Sequence, residues 1–222
     1  MQLFIDTLIS YITPHQCLAC AVDGSLLCAD CLPLLPDIQP QCFRCHRTDK
    51  GSKTCKSCRK TSYLDEVFIR TPYETFGEAL IQQLKFHRAV AAAKTMAEAM
   101  SELLLDASNK VIVPVPTATS RVRQRGYDQA VLIAQELAKA TGLPYASLLT
   151  RHGQHRQTGS TRAQRIIQLQ DVFQVKSKRV YPQEIILVDD VLTTGATLES
   201  AARALKQVKI KKISAIVFAR AE

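Results

Sequence analysis

Hydrophobic and polar positions divide the 222-residue chain into alternating strand-like and helix-like segments. The clearest strand signal is Ile185–Val188, four consecutive apolar residues, the pattern of a strand covered on both faces. Residues 111–116 (VIVPVP) repeat that pattern, and their two prolines predict that the chain leaves the sheet there. Ile213–Phe218 predicts a closing strand. Residues 63–73 read as a further β-segment, with Val67 and Ile69 alternating with Phe68 and Arg70. Helical stripes lie between these strands: Leu80, Ile81 and Leu84 within 76–86, and Met96, Met100 and Leu103 within 89–105. Residues 129–140 form another, closed by Gly142 with Pro144 beyond, and Leu198, Ala201, Ala202 and Leu205 mark the last. Strands alternating with helices predict an α/β fold on a parallel sheet.

The first 62 residues follow neither period. Residues 1–14 are apolar enough for a short helix packed on the body. Asp6 interrupts them, no basic region precedes them and no small-residue cleavage site follows, so a signal peptide is not expected. No later apolar run approaches membrane-spanning length, and membrane insertion is not expected either. All eight cysteines fall within 58 residues as four C-x-x-C pairs: Cys17 with Cys20, Cys28 with Cys31, Cys42 with Cys45, and Cys55 with Cys58. Such a pair lets two thiolates reach one zinc ion, and four complete a closed tetrahedral site, so eight ligands predict two structural zinc ions. A disulfide framework is the alternative; with no secretory signal, a reducing cytoplasmic setting favours zinc. Sequential sites, 17/20/28/31 and 42/45/55/58, fit the turn residues between the pairs, and a cross-brace is the other arrangement. The expected organisation is an N-terminal helix over 1–14, a double zinc ribbon over 15–62 and an α/β domain over 63–222.

Charge adds a partner class. The net charge is +9, unevenly spread: residues 1–40 hold four Asp and no Lys or Arg, whereas 41–60 hold seven basic residues against one acid. A second basic region, 111–180, carries eleven Lys or Arg against three acids. Two such regions suggest contacts with polyanions. Arg44, Lys53, Lys56 and Arg59, with Phe43 and Tyr63 for stacking, would suit single-stranded DNA. Lys209, Lys211 and Lys212 read most simply as a solvated sheet end, with an extension of a DNA path as the alternative.

The densest chemistry follows Ile185–Val188. Asp189 and Asp190 come next, and then Thr193, Thr194, Gly195, Ala196 and Thr197 lead into the last helix. Small residues at a helix N-terminus leave backbone N–H groups and hydroxyls free to hold a phosphate, and the helix dipole favours its charge. Paired carboxylates accept hydrogen bonds from vicinal ribose hydroxyls, and magnesium would offset the crowding of negative charge. The plainer alternative is a strand-to-helix turn capped by Asp190 and Thr194. A second segment, Thr117–Gln129, carries Arg121, Arg123, Arg125 and Gly126 between a strand and a helix, suiting pyrophosphate. If both strands are parallel, the two loops share one sheet edge. Lys85 and His87, at the end of the first helical stripe, could reach a phosphate too. Thr150–Arg165 is polar and basic and reads as a mobile loop entering a short helix, with Arg151, Arg156 and Gln157 as candidate contacts.

The run VDDVLTTGAT resembles the 5-phosphoribosyl 1-diphosphate motif of type I phosphoribosyltransferases. The resemblance implies that the acidic pair contacts the ribose 2- and 3-hydroxyls, that the Thr-rich loop holds the 5-phosphate and that a flexible loop in the Arg156 region closes over the site. It implies a type I phosphoribosyltransferase-like parallel sheet flanked by helices, behind a small double zinc-ribbon module. Almost the whole chain is similar to the ComF family of competence-associated proteins. The likeness rests on PVP followed by R-x-R-x-RGY-x-Q, the DDVLTTGAT run, the C-x-x-C pairs and Leu84-Lys85-Phe86. Asp128 and Gln168 stand where that family usually has Asn. Membership implies a cytoplasmic role in natural transformation, in the handling of imported single-stranded DNA, with a helicase or recombination protein as a further partner. A transferase would displace pyrophosphate from C1 of the ribose, with magnesium and the arginine loop on the leaving group. Nothing in the sequence names the acceptor, and a DNA-binding or docking protein that keeps the fold without turnover is the competing expectation.

Overall fold

The computed structural model describes residues 15–48, 53–87, 89–105, 107–152 and 172–221. In chain order its elements are α1 (Lys56–Arg59), β1 (Glu66–Pro72), α2 (Thr75–Phe86), α3 (Ala91–Ser101), β2 (Val111–Pro114), α4 (Thr119–Arg125), α5 (Gln129–Thr141), β3 (Leu149–Arg151), β4 (Phe173–Val175), β5 (Glu184–Leu192), α6 (Ala196–Gln207) and β6 (Lys212–Arg220). The main sheet runs β1-β6-β5-β2 and every pairing in it is parallel. β3 and β4 form a separate antiparallel pair.

Covering a parallel sheet on both faces explains the uninterrupted apolar runs. With side chains alternating at period two, Ile186 and Val188 join Ile112, Ile216 and Phe218 in a core with α2, α3 and α5. Ile185 and Leu187 join Val113, Ile213, Ala215 and Val217 in a second core with α6, β3 and β4. The helices supply matching faces: Leu80, Ile81 and Leu84 of α2, Met96 and Met100 of α3, and Leu198, Ala201, Ala202 and Leu205 of α6 are all buried. α5 starts at Asp128, whose carboxylate accepts from Ala130 N, and stops at Gly142, which adopts φ +70°.

Several local expectations need adjustment. β5 does not end at Val188. It continues to Leu192, with Asp189 still paired to Val217, because β6 is long enough to keep the ladder going past the acidic pair. The Thr117–Gln129 segment contains a helical turn, α4. Thr150 and Arg151 belong to β3, whose register Leu149↔Val175 depends on a partner more than twenty residues away. Leu103 is exposed rather than buried, because α3 gives way to a 3-10 turn over Glu102–Leu104 and the face rotates. The expected helix over 1–14 and most of the expected loop over 150–165 lie outside the described residues.

The cysteine segments dock on the sheet through two buried arginines. Arg70 of β1 contacts Leu35 O at 3.5 Å and Asp37 Oδ1 at 2.8 Å. Arg220 of β6 contacts Phe43 O at 3.4 Å and the His46 ring. A guanidinium removed from water needs such partners, and both side chains are almost fully covered. Neighbouring strands therefore anchor one cysteine segment each.

Candidate functional site

β2 and β5 are adjacent and parallel, with Pro114 opposite Val188, so the segments leaving their C-terminal ends emerge side by side. This is where ligands bind in open α/β sheets. From β5 come Asp189 and Asp190, and from β2 comes the Thr117–Gly126 segment. Lys85, in the last turn of α2, lies with its Nζ 2.6 Å from Asp190 Oδ2. Gln129, buried at the start of α5, places Nε2 3.4 Å from the same oxygen. Among the described residues both contacts of this carboxylate fall on Oδ2, which leaves Oδ1 for a further donor. Asp190 thus bonds to Lys85 and does not cap α6. Asp189 Oδ1 accepts from Asp190 N at 2.9 Å. Burial pushes the Asp189 carboxyl well above its ordinary value, and the charge of Asp190 pushes it further, while Lys85 pulls it back.

The loop after β5 is shaped for close approach. Thr193, Thr194, Ala196 and Thr197 are exposed, and Gly195 between them is buried with φ +76°. Ala196 N is 3.4 Å from Thr194 Oγ1, a long contact that leaves the first turn of α6 open to an anion. Gly195 is covered from behind: a Cβ there would come within 3.0 Å of Phe43 Cε2. Phe43 is therefore a packing residue, 4% exposed, and does not stack on nucleobases as the sequence suggested. Tyr63, at 42% exposed, remains accessible.

Charges of both the arginine segment and the acidic pair act on Arg151 of β3. Burial holds the Arg151 guanidinium below its usual value; Asp189 and Asp128 act in the opposite direction and Arg121 adds to the lowering, so these groups lie close enough to feel one another. Arg151 also lies over the Phe173 ring at 5.4 Å and contacts Pro116 O at 3.4 Å. Arg125 lies over the exposed ring of Phe86 at 5.7 Å, and Gly126 ends α4 at φ +88°. Asp128 accepts from Thr117 N and Thr117 Oγ1, both at 2.9 Å, and from Ala130 N at 3.1 Å. Every one of these bonds uses the carboxylate as an acceptor, a role both of its oxygens can fill. Two polar atoms at the site, Arg125 Nη1 and Gln129 Oε1, are buried without a partner among the described residues. Arg156 and Gln168 lie outside the described residues. An apolar cleft lined by Leu18, Leu34 and Phe76 lies at the other end of α2 and touches none of these groups.

With that geometry in place, the phosphoribosyl transferase domain matches residues 82–222, from inside α2 to the C-terminal residue. The chain belongs to the phosphoribosyl transferase domain family. Its phosphoribosyltransferase-type sheet carries helices on both faces, and the cysteine segments precede the matched region. The chain is similar to competence protein F of Haemophilus influenzae, 28% identical over 208 residues, 88% of this chain and 90% of that one. It is also similar to the ComFC competence proteins of Streptococcus pneumoniae, 26% identical over 202 residues (89% of each chain), and of Bacillus subtilis, 27% over 190 residues (81% of this chain and 77% of that one). A solved structure described as the allosteric regulatory enzyme of purine biosynthesis aligns with 62% of this chain and 30% of its own at 16% identity, with a TM-score of 0.43. No described helix is long and apolar enough to cross a membrane.

Outside the matched region, the thiols group sequentially. The sulfurs of Cys17, Cys20, Cys28 and Cys31 lie within 4.8 Å of one another, as do those of Cys42, Cys45, Cys55 and Cys58. Cys20 and Cys28 are 3.7 Å apart, and Cys45 and Cys55 are 3.6 Å apart. These separations are far too long for a disulfide at ~2.05 Å, and they match the edge of about 3.8 Å of a tetrahedron with Zn–S bonds of ~2.3 Å. The donor set fits zinc, and each tetrad can hold one ion. Each also contains a thiol biased toward thiolate. Burial raises Cys17, but N–H donors from Cys20, Cys28 and Ala19 outweigh it and bring it down to about 6. The Ser57 hydroxyl and the Cys58 N–H bring Cys55 down to about 6. Burial and the neighbouring thiols push Cys58 up to about 12, and hydrogen bonds with Cys28 and Cys20 push Cys31 up as well.

The basic face of the second cysteine segment is partly engaged. Arg44 donates to Thr61 Oγ1 at 2.8 Å and Arg59 pairs with Asp65 at 2.7 Å, while Lys53 and Lys56 are exposed. Asp189, Asp190 and the small-residue loop were recognisable in the sequence because they are contiguous. Gln129 stood there only as the end of the R-x-R-x-RGY-x-Q run with no role attached, and Arg70 and Arg220 carried no functional signal; the roles of all three arise from packing.

Proposed function

We propose that the chain binds 5-phosphoribosyl 1-diphosphate with magnesium and acts in natural transformation, in the cytoplasmic handling of imported single-stranded DNA. The observation that carries the binding reading is the acidic pair near the end of β5, with Lys85 on Asp190, followed two residues later by an exposed small-residue loop opening α6. Asp190 Oδ1 and the outer oxygen of Asp189 accept from the two ribose hydroxyls. The backbone of Thr193, Thr194, Gly195, Ala196 and Thr197 receives the 5-phosphate. Arg121, Arg125, Gly126 and Arg151 take the diphosphate, and Arg125 Nη1 gains the acceptor it lacks. Hard oxygen donors, the Asp189 carboxylate and Gln129 Oε1, suit magnesium, which supplies neutralisation of the diphosphate when bound. The competence role rests on the likeness to three competence proteins over most of the chain.

If the protein turns over, an acceptor nucleophile bonds to C1 of the ribose as the C1–O bond breaks and the electron pair leaves with pyrophosphate. The chain's part is to orient the ribose, stabilise the leaving charge and exclude water. Calorimetric titration with the diphosphate and magnesium tests the binding reading. Wild type is expected to bind, and Asp189→Ala combined with Asp190→Ala to abolish it; undiminished binding in the double variant refutes the site. A screen of bases and amines for pyrophosphate release then looks for the acceptor. Direct DNA contact through Arg44, Lys53, Lys56 and Arg59 predicts affinity that falls with salt and with neutralisation of Lys53 and Lys56; flat salt dependence refutes it.

A further inference from the structure

The second cysteine segment does more than precede the α/β domain: it forms the back wall of the loop opening α6. Three independent contacts converge there. The Phe43 ring, one residue after Cys42, covers Gly195, so that even a methyl group at that position would sit 3.0 Å from Cε2 and 3.3 Å from Cδ2. Glu199, in the first turn of α6, accepts from Ser62 Oγ at 2.6 Å and from Tyr63 N at 2.9 Å, just beyond the last cysteine. On the far side, Arg220 fixes the segment's own backbone at Phe43 O, and Ala221 N bonds Leu192 O at 2.9 Å at the base of the same loop. The loop is thus clamped from the ribbon side while its four other residues stay open to solvent. The first cysteine segment makes no comparable approach. Its buried residues join the opposite face of the sheet, beside the N-terminal end of α2, and Lys85 lies near the other end of that helix.

We propose that Phe43 and Glu199 are positioning residues that hold Thr193–Thr197 in its anion-receiving conformation, so that the second cysteine tetrad sets the ligand affinity of a site to which it contributes no ligand contact. The physical reason is preorganisation. A glycine at φ +76° flanked by small residues has little of its own to hold it, and ordering it when ligand arrives would be deducted from binding. The ligand part of this inference rests on the reading of the loop as the 5-phosphate site; the ordering part does not.

The test uses the full chain, with zinc content measured in every variant. Amide hydrogen exchange over 193–199 is compared between wild type and Phe43→Ala, alongside calorimetric affinity for 5-phosphoribosyl 1-diphosphate with magnesium. Exchange is expected to quicken roughly tenfold in the variant while both tetrads keep their zinc. Affinity is expected to fall by roughly tenfold. Phe43→Leu, which restores apolar cover, should recover most of both. Should Phe43→Ala fail to fold, Glu199→Ala breaks the other clamp without opening the core and should quicken the same amides. Unchanged exchange over 193–199 in a folded, zinc-loaded Phe43→Ala or Glu199→Ala protein overturns the proposal. Absence of binding in wild type instead removes the proposed ligand, and the exchange result still decides whether the ribbon orders the loop.

Discussion

Replacing Lys85 with Ala probes the charge balance on which the site depends. Its ammonium lies 2.6 Å from Asp190 Oδ2, and the side chains are only 18% and 9% exposed. Removing one partner of a buried pair typically costs 3–5 kcal/mol, and the partial exposure of Lys85 places this case near the lower end, about 3 kcal/mol. For a chain of this size that corresponds to a fall in melting temperature of roughly 6–12 °C. The loss should depend on pH. Asp189 is already raised by burial and by Asp190, and Lys85 is the charge that draws it back. An acid whose value is raised in the folded state favours the fold at acid pH, and that contribution disappears as the pH climbs through the raised value. Without Lys85 the value rises further, so the deficit appears at neutral and alkaline pH and shrinks on acidification, as the Asp189 carboxyl becomes neutral. Urea denaturation at pH 7.5 and pH 5 measures both effects, and a cycle with Asp190→Asn should return a coupling of about 2 kcal/mol. A loss equal at the two pH values, or a coupling near zero, would refute the electrostatic account and leave only packing of the lysine stem.

Asp189→Asn should do the reverse for stability. It removes a carboxylate raised by burial and by Asp190, so the fold gains about 1 kcal/mol at pH 7.5 and nothing near pH 3, while diphosphate binding is lost; thermal melts and titration check the two halves. Gly195→Ala places a Cβ at φ +76° and 3.0 Å from Phe43, and should cost about 2 kcal/mol by denaturant melts; a neutral result would mean that the loop has room to move. Zinc binding to the metal-free protein at pH 7.5 should release fewer than four protons per ion, because Cys17 and Cys55, at about 6, are already ionised and Cys42 is lowered as well. Below about pH 6 the number should rise toward four, which titration in buffers of different ionisation enthalpy reads directly.

Much of the site was legible because its parts are contiguous. Asp189 to Thr197 occupy one strand end and one helix start, and four C-x-x-C pairs state their chemistry by spacing alone. The apolar runs at 111–113, 185–188 and 215–218 specified strands buried on both faces, since a half-exposed strand would have alternated. Boundaries were less legible: whether β5 stops at Val188 or runs to Leu192 depends on how far β6 extends beside it.

The sequence by itself determined the local elements, the acidic pair with its small-residue loop, and the thiol pairs, because each depends on neighbours a few residues away. Only the tertiary structure decided that Lys85 reaches Asp190, that Arg151 stands in a strand over the Phe173 ring, that the thiols divide into sequential tetrads, and that Phe43 is a wall behind Gly195 rather than a surface for bases. Those relations join residues far apart along the chain. They are set by the order and register of the parallel strands and by the helices packed against them, which fix where each side chain ends, and no local pattern encodes that position.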